Sequence, residues 1–206
     1  MVRAQLVLSL VIAFALSMFA VPVRAQSEGA ETLQSVGQSA SAGFNRTDGC
    51  ITTSVIVLAG QQISGPGRTT FAVVLIDSRN TCTDTLLVFG GGTASGVNFR
   101  MDPQLKKAAV HASVPFDDIV SNSTFNVQVD MVWTGTGALE RGQDQFTFED
   151  EGFTIIAHSV GAARDATASG AVASASTTFV PAGSTAPGFL FWFNQGQVII
   201  SPHPSQ

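Results

Sequence analysis

The chain has 206 residues, of which 45% are hydrophobic and only 12% are charged. Charged residues are at about half of their usual share of roughly 25% while the apolar share is normal, which excludes a disordered acidic chain and a coiled coil. With 15 acidic and 10 basic residues, the formal net charge is −5. This balance argues against nucleic acid as a partner, because phosphate binding needs a clustered basic surface. The length suits one folded domain, or at most two small ones.

Residues 1–25 have the features of a cleaved secretory signal. Arg3 gives a positive start, residues 6–20 form an apolar run, and Ala25 is the small residue that signal peptidase needs before Gln26. The run is shorter than the roughly 20 residues that cross a bilayer, so cleavage is favoured over an uncleaved anchor. We therefore expect a secreted, periplasmic or cell-envelope protein with no transmembrane segment after cleavage.

The two cysteines, Cys50 and Cys82, both lie in the exported part of the chain. An even number of cysteines in an oxidising compartment favours a disulfide over metal ligation, since a metal site would need more Cys or His nearby. The bond would close a loop of about 32 residues, which is worth about 3–4 kcal/mol. Two free buried thiols are the alternative.

The remaining chain is typical of an antiparallel all-β domain. Residues 26–33 are polar and without periodicity, which predicts a flexible leader, and residues 202–206 form a polar tail. Over residues 34–201, short strand-like runs are separated by Gly, Pro, Asn and Asp about every eight to twelve residues, which predicts a single domain without helices. The predicted strands are 34–44, 51–59, 70–76, 82–89, 96–101, 105–114, 124–134, 144–149, 153–160, 164–175, 188–193 and 197–201.

Three breaks between strands are predicted from turn chemistry. Pro115 ends the strand 105–114, and Asn194 to Gly196 suits a tight hairpin turn. Residues 90–92, three consecutive glycines, predict a flexible turn rather than a phosphate-binding loop, because no Lys-Ser or Lys-Thr follows them.

The strand at 124–134 has the clearest alternation between polar and apolar residues. Its apolar face carries Phe125, Val127, Val129, Met131 and Trp133, and its polar face carries Asn126, Gln128 and Asp130. One side therefore meets a core, and the other meets water or a ligand. About ten such strands in one open sheet would leave an apolar face bare, which requires two packed sheets or a closed barrel. We expect an antiparallel β-sandwich of about ten strands, with a closed lipocalin-like β-barrel as the alternative.

Four segments of the exported chain carry a family resemblance. They are residues 48–50, 81–85, 125–137 with the following Leu139 and Arg141, and 164–170. These segments resemble a group of uncharacterised secreted β-rich bacterial proteins, whose two cysteine segments correspond to the first two. The resemblance implies a secreted β-rich protein and no particular activity.

Residues that could carry chemistry are few. The histidines, His111, His158 and His203, match no zinc spacing, and no Gly-x-Ser-x-Gly motif occurs. We therefore name no catalytic residue and favour a non-catalytic binding or structural role over an enzyme. A hydrolase that uses two carboxylates is the least favoured alternative.

One acidic cluster is a candidate cation site. It consists of Asp144, Glu149, Asp150 and Glu151. Carboxylates in one loop can hold calcium through their oxygens. The cluster lacks an alternating Asp/Asn ladder with a closing Glu, so solvated turns are favoured. We expect no cofactor, with calcium as the alternative.

A binding surface is predicted on two segments. The polar face of the strand 124–134 carries Asn126, Gln128 and Asp130, and the aromatic run 189–193 contains Trp192. Burial is the favoured interpretation of that run, but an exposed Trp192 would stack on sugar rings or seat an apolar partner. The candidate partners are an extracellular protein, a glycan or a small apolar ligand. A small apolar ligand would require a barrel-type carrier with an internal cavity.

Overall fold

The computed structural model of the protein describes residues 30–64, 67–150 and 153–200. These ranges form ten antiparallel strands, and no helix in them is long and apolar enough to cross a membrane. The strands are β1 (Ala30–Asp48), β2 (Ile51–Ser64), β3 (Gly67–Asn80), β4 (Thr85–Ser95), β5 (Asn98–Met101), β6 (Lys107–Asp118), β7 (Ser123–Gly135), β8 (Glu140–Asp150), β9 (Phe153–Ala173) and β10 (Thr178–Ile200). The predicted all-β antiparallel fold of about ten strands is confirmed. The predicted signal at 1–25 and tail at 202–206 lie outside the described residues.

The strands join into one sheet whose pairings form a closed ring. The order is β10-β1-β2-β3-β4-β6-β7-β9-β8, with β5 beside β6, and β10 also pairs with β9. This last pairing closes the row into a ring, and β8 lies outside the ring, paired with β9. Ring closure satisfies backbone donors and acceptors that an open edge would expose. The architecture is sandwich- or barrel-like, with the inner faces of the strands meeting in one interior.

Alternating side chains fill that interior. β6 and β7 bury every second residue, as the sequence predicted, and Trp133 and Phe116 are fully buried. The indole Nε1 of Trp133 donates a hydrogen bond of 3.0 Å to the backbone carbonyl of Ser41. Because β7 and β1 are not neighbours in the sheet, this bond crosses the interior and ties two sides of the ring together.

Several strands are longer than the sequence predicted. β10 runs through the predicted hairpin turn, because Asn194 pairs with Val36 of β1 on one edge and with Val160 of β9 on the other. The predicted strands 153–160 and 164–175 form the single strand β9, and β1 begins at Ala30, inside the predicted leader. Backbone pairing on both edges thus outweighs local turn preference.

β6 likewise continues through Pro115 to Asp118, so the predicted break at this proline is wrong. On the β4 and β5 side of β6, those two strands pair only with residues 116–118 and 108–111. Residues 112–115 therefore have no pairing partner on this side, although the carbonyl of Pro115 lies against Gly92 of β4. Proline is tolerated in a strand at such an edge, because its missing N–H leaves no ladder hydrogen bond broken there.

The ring is held by few residues where β4 meets β6. The pairs are Gly90 with Asp118, Gly91 with Asp117, and Gly92 with Phe116. A Cβ atom on Gly90 would overlap the carbonyl oxygen of Asp117, and one on Gly92 would overlap that of Pro115. The absence of side chains is what lets the two backbones approach. The prediction of a flexible turn at residues 90–92 is therefore wrong, because these glycines lie within β4.

Asp118 fastens this contact between β4 and β6. Its buried carboxylate accepts hydrogen bonds from the backbone N–H groups of Phe89 (3.2 Å) and Val120 (3.1 Å) and from the Ser121 hydroxyl (2.5 Å). Burial by itself raises the pKa of Asp118, but the hydrogen bonds to the ionised form outweigh it. They hold the pKa of Asp118 below its ordinary value of 3.8.

The predicted disulfide between Cys50 and Cys82 is confirmed, with the two Cα atoms 5.4 Å apart. It joins the turn between β1 and β2 to the turn between β3 and β4. The backbone N–H of Thr81 donates to the Cys50 carbonyl at 2.7 Å, and the Asn80 side chain accepts from the N–H of Cys82 at 3.0 Å. The Thr81 hydrogen bond and the covalent bond thus hold the same two turns together, while the bond between Asn80 and Cys82 lies within the second turn.

Replacement of Gly92 by alanine should lower the free energy of unfolding by about 2 kcal/mol or more. The added Cβ must push away the Pro115 carbonyl and so separate β4 from β6. Gly43→Ala in β1 is the matched control, because a Cβ there meets nothing within 4 Å. Urea unfolding should place the control within about 0.5 kcal/mol of the wild type. Equal losses in both variants would contradict the role of the glycines.

Removal of the disulfide should lower the free energy of unfolding by about 3–4 kcal/mol. The unfolded chain regains the freedom of a loop that spans 32 residues. The measurement is urea unfolding of the wild type against the double variant Cys50→Ser, Cys82→Ser. A reductant should destabilise the wild type and leave the double variant unchanged. An unshifted midpoint in the double variant would show that the bond adds no stability.

Asp118→Asn should cost about 2 kcal/mol at neutral pH, because hydrogen bonds to an ionised acceptor are lost. The pKa of Asp118 is lower in the folded protein, so its contribution is present above the unfolded value and is lost as pH falls through the folded pKa. The stability gap between wild type and variant should hold from about pH 7 to 5 and shrink below about pH 4. Asp117→Asn, at an exposed carboxylate, is the control. A gap that persists in acid would refute the assignment.

Candidate functional site

The register of the strands arranges exposed and half-buried side chains in rows on the outer face of β5, β6, β7, β9 and β10. The first row is Asn98, His111, Asp130 and Ala171; the second is Arg100, Ala109, Val132, Ser169 and Thr185; the third is Lys107, Thr134, Thr167 and Pro187. In a fourth row, Asp165 of β9 lies beside Phe189 of β10. Residues far apart in the chain thus share one surface, because each row crosses several strands.

The residues of the first two rows, except Ala171 and Thr185, line a groove of about 510 Å³ that is open to solvent. We call it the polar groove after five of its lining residues, Asn98, Arg100, His111, Asp130 and Ser169; the rest of its lining, such as Ala109 and Val132, is apolar or glycine. Of the residues predicted for binding, Asp130 therefore lies in a concave surface.

The other two predicted residues of β7 lie beyond the lining of this groove. Asn126 and Gln128 are exposed farther along the same face of the strand. The Gln128 amide donates a hydrogen bond of 2.8 Å to the hydroxyl of Ser113 on β6. The structure thus brings one of the three predicted β7 residues into a candidate site and leaves two on the open sheet.

His111 and Asp130 form a contact in the polar groove between imidazole Nδ1 and carboxylate Oδ1. A carboxylate only accepts hydrogen bonds, so Nδ1 carries the proton and donates it. The remaining nitrogen, Nε2, is an acceptor in the neutral ring and a donor in the charged ring. Both side chains are exposed, so the pair adds little stability. Its effect is to fix the relative orientation of the two polar side chains.

Arg100 differs from the arginines that form ion pairs. Arg46 pairs with Asp48 at 2.7 Å and Arg79 with Asp77 at 2.9 Å, each two residues along its own strand. The latter contact raises the pKa of Arg79, through its hydrogen bond to Asp77. The side chain of Arg100 is exposed and has no hydrogen bond or ion pair within the described part of the chain. Its guanidinium donors are available to a ligand.

A second groove, of about 500 Å³, adjoins the polar groove on β9 and β10. We call it the aromatic groove and define it by Thr136, Asp165, Thr167, Thr185 and Phe189. Phe189 is 40% exposed. Thr167 and Ser169 are successive residues on the same face of β9, one in each groove, so the two grooves form one surface.

The structure places Trp192 apart from this surface. Its side chain is half-buried and packs against the core, on the side of β10 where Leu190 is fully buried. The burial favoured from the sequence is therefore seen for this face of the aromatic run. The exposed ring of the run belongs instead to Phe189 on the opposite face.

The calcium candidates belong to an extended strand rather than to a loop. Asp144, Glu149 and Asp150 are residues of β8, whereas their side chains and the whole of Glu151 lie outside the described residues. Five residues of extended chain separate the Cα atoms of Asp144 and Glu149 by about 17 Å. Within ranges 30–64, 67–150 and 153–200, no group of three or more His, Cys, Asp or Glu residues could hold a metal ion.

No family model matches the chain, and no curated protein sequence matches it either. Among solved structures, the chain is similar to a putative AttH from Nitrosomonas europaea, at 8% identity over 82% of this chain. The chain covers 52% of that protein, about half of its length, and the TM-score is 0.29. A similarity at this level supports neither a shared fold nor a shared function.

Arg100, Asn98, Asp165 and Phe189 were not singled out by the sequence patterns as a binding surface. Arg100 and Asn98 lie in the predicted strand 96–101, and the alternation of that strand places them on one face. Their neighbours depend on the register between β5 and β6, which alternation along one strand does not specify.

Proposed function

We propose that the protein is a non-catalytic carbohydrate-binding protein that acts outside the cytoplasm. It holds a sugar chain along the polar and aromatic grooves. The observation that carries the proposal is the continuity of these grooves on one outer face, with an exposed aromatic ring in one and imidazole, amide and carboxylate groups in the other. Sugars offer hydroxyl groups as donors and acceptors and C–H faces that pack on aromatic rings, so this mixture of groups suits them.

The rigidity of the platform supports a binding role. The side chains of both grooves project mainly from paired strands, and His111 is held by its contact with Asp130. Side chains on a rigid sheet lose little conformational freedom when a ligand binds, and the free energy of binding is not spent on ordering them. Because both grooves are open to solvent, an internal stretch of a long chain can lie across them.

Two other functions receive less support from the geometry. A small-ligand carrier needs an internal cavity, but the inner faces are occupied by large buried side chains such as Trp133, Phe116 and Met131. A carboxylate hydrolase needs two acidic groups that face one substrate bond. The carboxylates of the two grooves, Asp130 and Asp165, are about 20 Å apart, because Asp130 pairs with Ala171, six residues along β9 from Asp165.

The disulfide supports a location outside the cytoplasm. Structural disulfides persist in oxidising compartments and are rare in the cytosol, and Cys50 and Cys82 are bonded here. The predicted signal at residues 1–25 agrees with this location. Secretion and the resemblance to secreted bacterial proteins remain predictions, which detection of the processed chain outside the cytoplasm would test.

Titration with oligosaccharides of glucose, xylose, N-acetylglucosamine and galacturonate tests the proposed function. We expect calorimetry to detect binding of at least one, and Phe189→Ala to weaken it about 5–10-fold through lost stacking. Phe89→Ala is the matched control, because Phe89 is 45% exposed on β4, away from both grooves. It should bind like the wild type. Absence of binding to every sugar, or equal losses in the two variants, would refute the proposal.

A further inference from the structure

We infer that the polar groove recognises sugars that carry a carboxylate, the uronate units of acidic polysaccharides, and that Arg100 binds this carboxylate. The inference rests on the proposed function and specifies its ligand class. It starts from the one arginine of the groove, whose guanidinium has no partner in the described part of the chain. A guanidinium presents its donors in a planar fork that matches the two oxygens of a carboxylate.

The surroundings of Arg100 favour a negative group. Lys107 lies on the same outer face, in the row next to that of Arg100. The carboxylate of the groove, Asp130, is engaged by His111 and does not form an ion pair with Arg100. Asp102 lies beside Lys107, but its carboxylate accepts the backbone N–H of Gln104 at 2.7 Å and forms no ion pair with Arg100 or Lys107. Neither cation therefore has an ion-pair partner among the described residues, although the whole chain has a net charge of −5. Salt screens charges beyond about 8 Å, so the charges near the groove matter more to a bound ligand than the net charge of the whole chain.

The other polar groups of the groove suit hydroxyl groups. Asp130 keeps acceptor capacity beside its contact with His111, and the amide of Asn98 has both donors and an acceptor. Ala109 lies between Arg100 and Val132 in the second row, and its small side chain leaves room above the sheet. Arg100 and Asp130 are two strands apart, about 10 Å across the sheet. A sugar ring fits between them with its carboxylate toward Arg100 and its hydroxyls toward Asp130.

The test compares trigalacturonate with its methyl ester, which has the same hydroxyl groups but no charge. The wild type should bind the acid at least about tenfold more tightly than the ester. Arg100→Gln should weaken binding of the acid about 10–100-fold and leave binding of the ester unchanged, since only the charge-assisted fork is lost. Arg100→Lys keeps the charge without the fork and should retain part of the preference.

Arg68→Gln is the matched control, because Arg68 is an exposed arginine of β3, outside both grooves. It should bind both probes like the wild type, and all variants should keep the thermal midpoint of the wild type, because both arginines are exposed. Equal affinity for acid and ester, or equal losses in Arg100→Gln and Arg68→Gln, would overturn the inference. Binding to neutral sugars alone would overturn it while the proposed function stands. Failure to bind any oligosaccharide would remove both.

Discussion

Closure of the sheet is the constraint on which the rest of the structure depends. Each strand has hydrogen-bonding edges and one apolar face, and a row of strands in water exposes both. Pairing of β10 with β1 and β9, together with the contact between β4 and β6, joins the row into a ring. Once the ring is closed, the apolar faces share one interior. Trp133 is fully buried there and donates a hydrogen bond to the backbone carbonyl of Ser41 on another side of the ring. The alternate residues must then form the outer face.

This closure relies on three consecutive glycines, which have no side chains, where β4 meets β6. Residues 90–92 let β4 approach β6 because a Cβ at two of the three positions would overlap a carbonyl oxygen. Three consecutive glycines are locally typical of a turn, and only the partner strand shows that they serve a close approach of backbones. Asp118 then holds the contact through hydrogen bonds to neighbouring N–H groups. The narrowest pairing in the ring is therefore supported by a buried charge.

The candidate site follows from the same closure, since its rows cross strands that the ring brings side by side. Asp130 was predictable from alternation along β7, and the contact with His111 requires the register between β6 and β7. A slip of one residue would place the two side chains on opposite faces. For Trp192, alternation along the strand was not sufficient to predict burial. Alternation in residues 189–193 defines two faces, but only the pairing of β10 shows that Phe189 faces outward and Trp192 packs on the core.

The amino-acid sequence by itself determined the all-β class, the inward and outward faces of β6 and β7, and the one disulfide that two cysteines allow. These features depend on composition and on periodicity within a few residues of the chain. Only the tertiary structure decided the lengths of β9 and β10, the closed ring, and the meeting of Arg100 with Asp130 in one groove. The reason is physical: strand ends and neighbours are set by hydrogen bonds and packing between distant segments, which can outweigh a local turn preference.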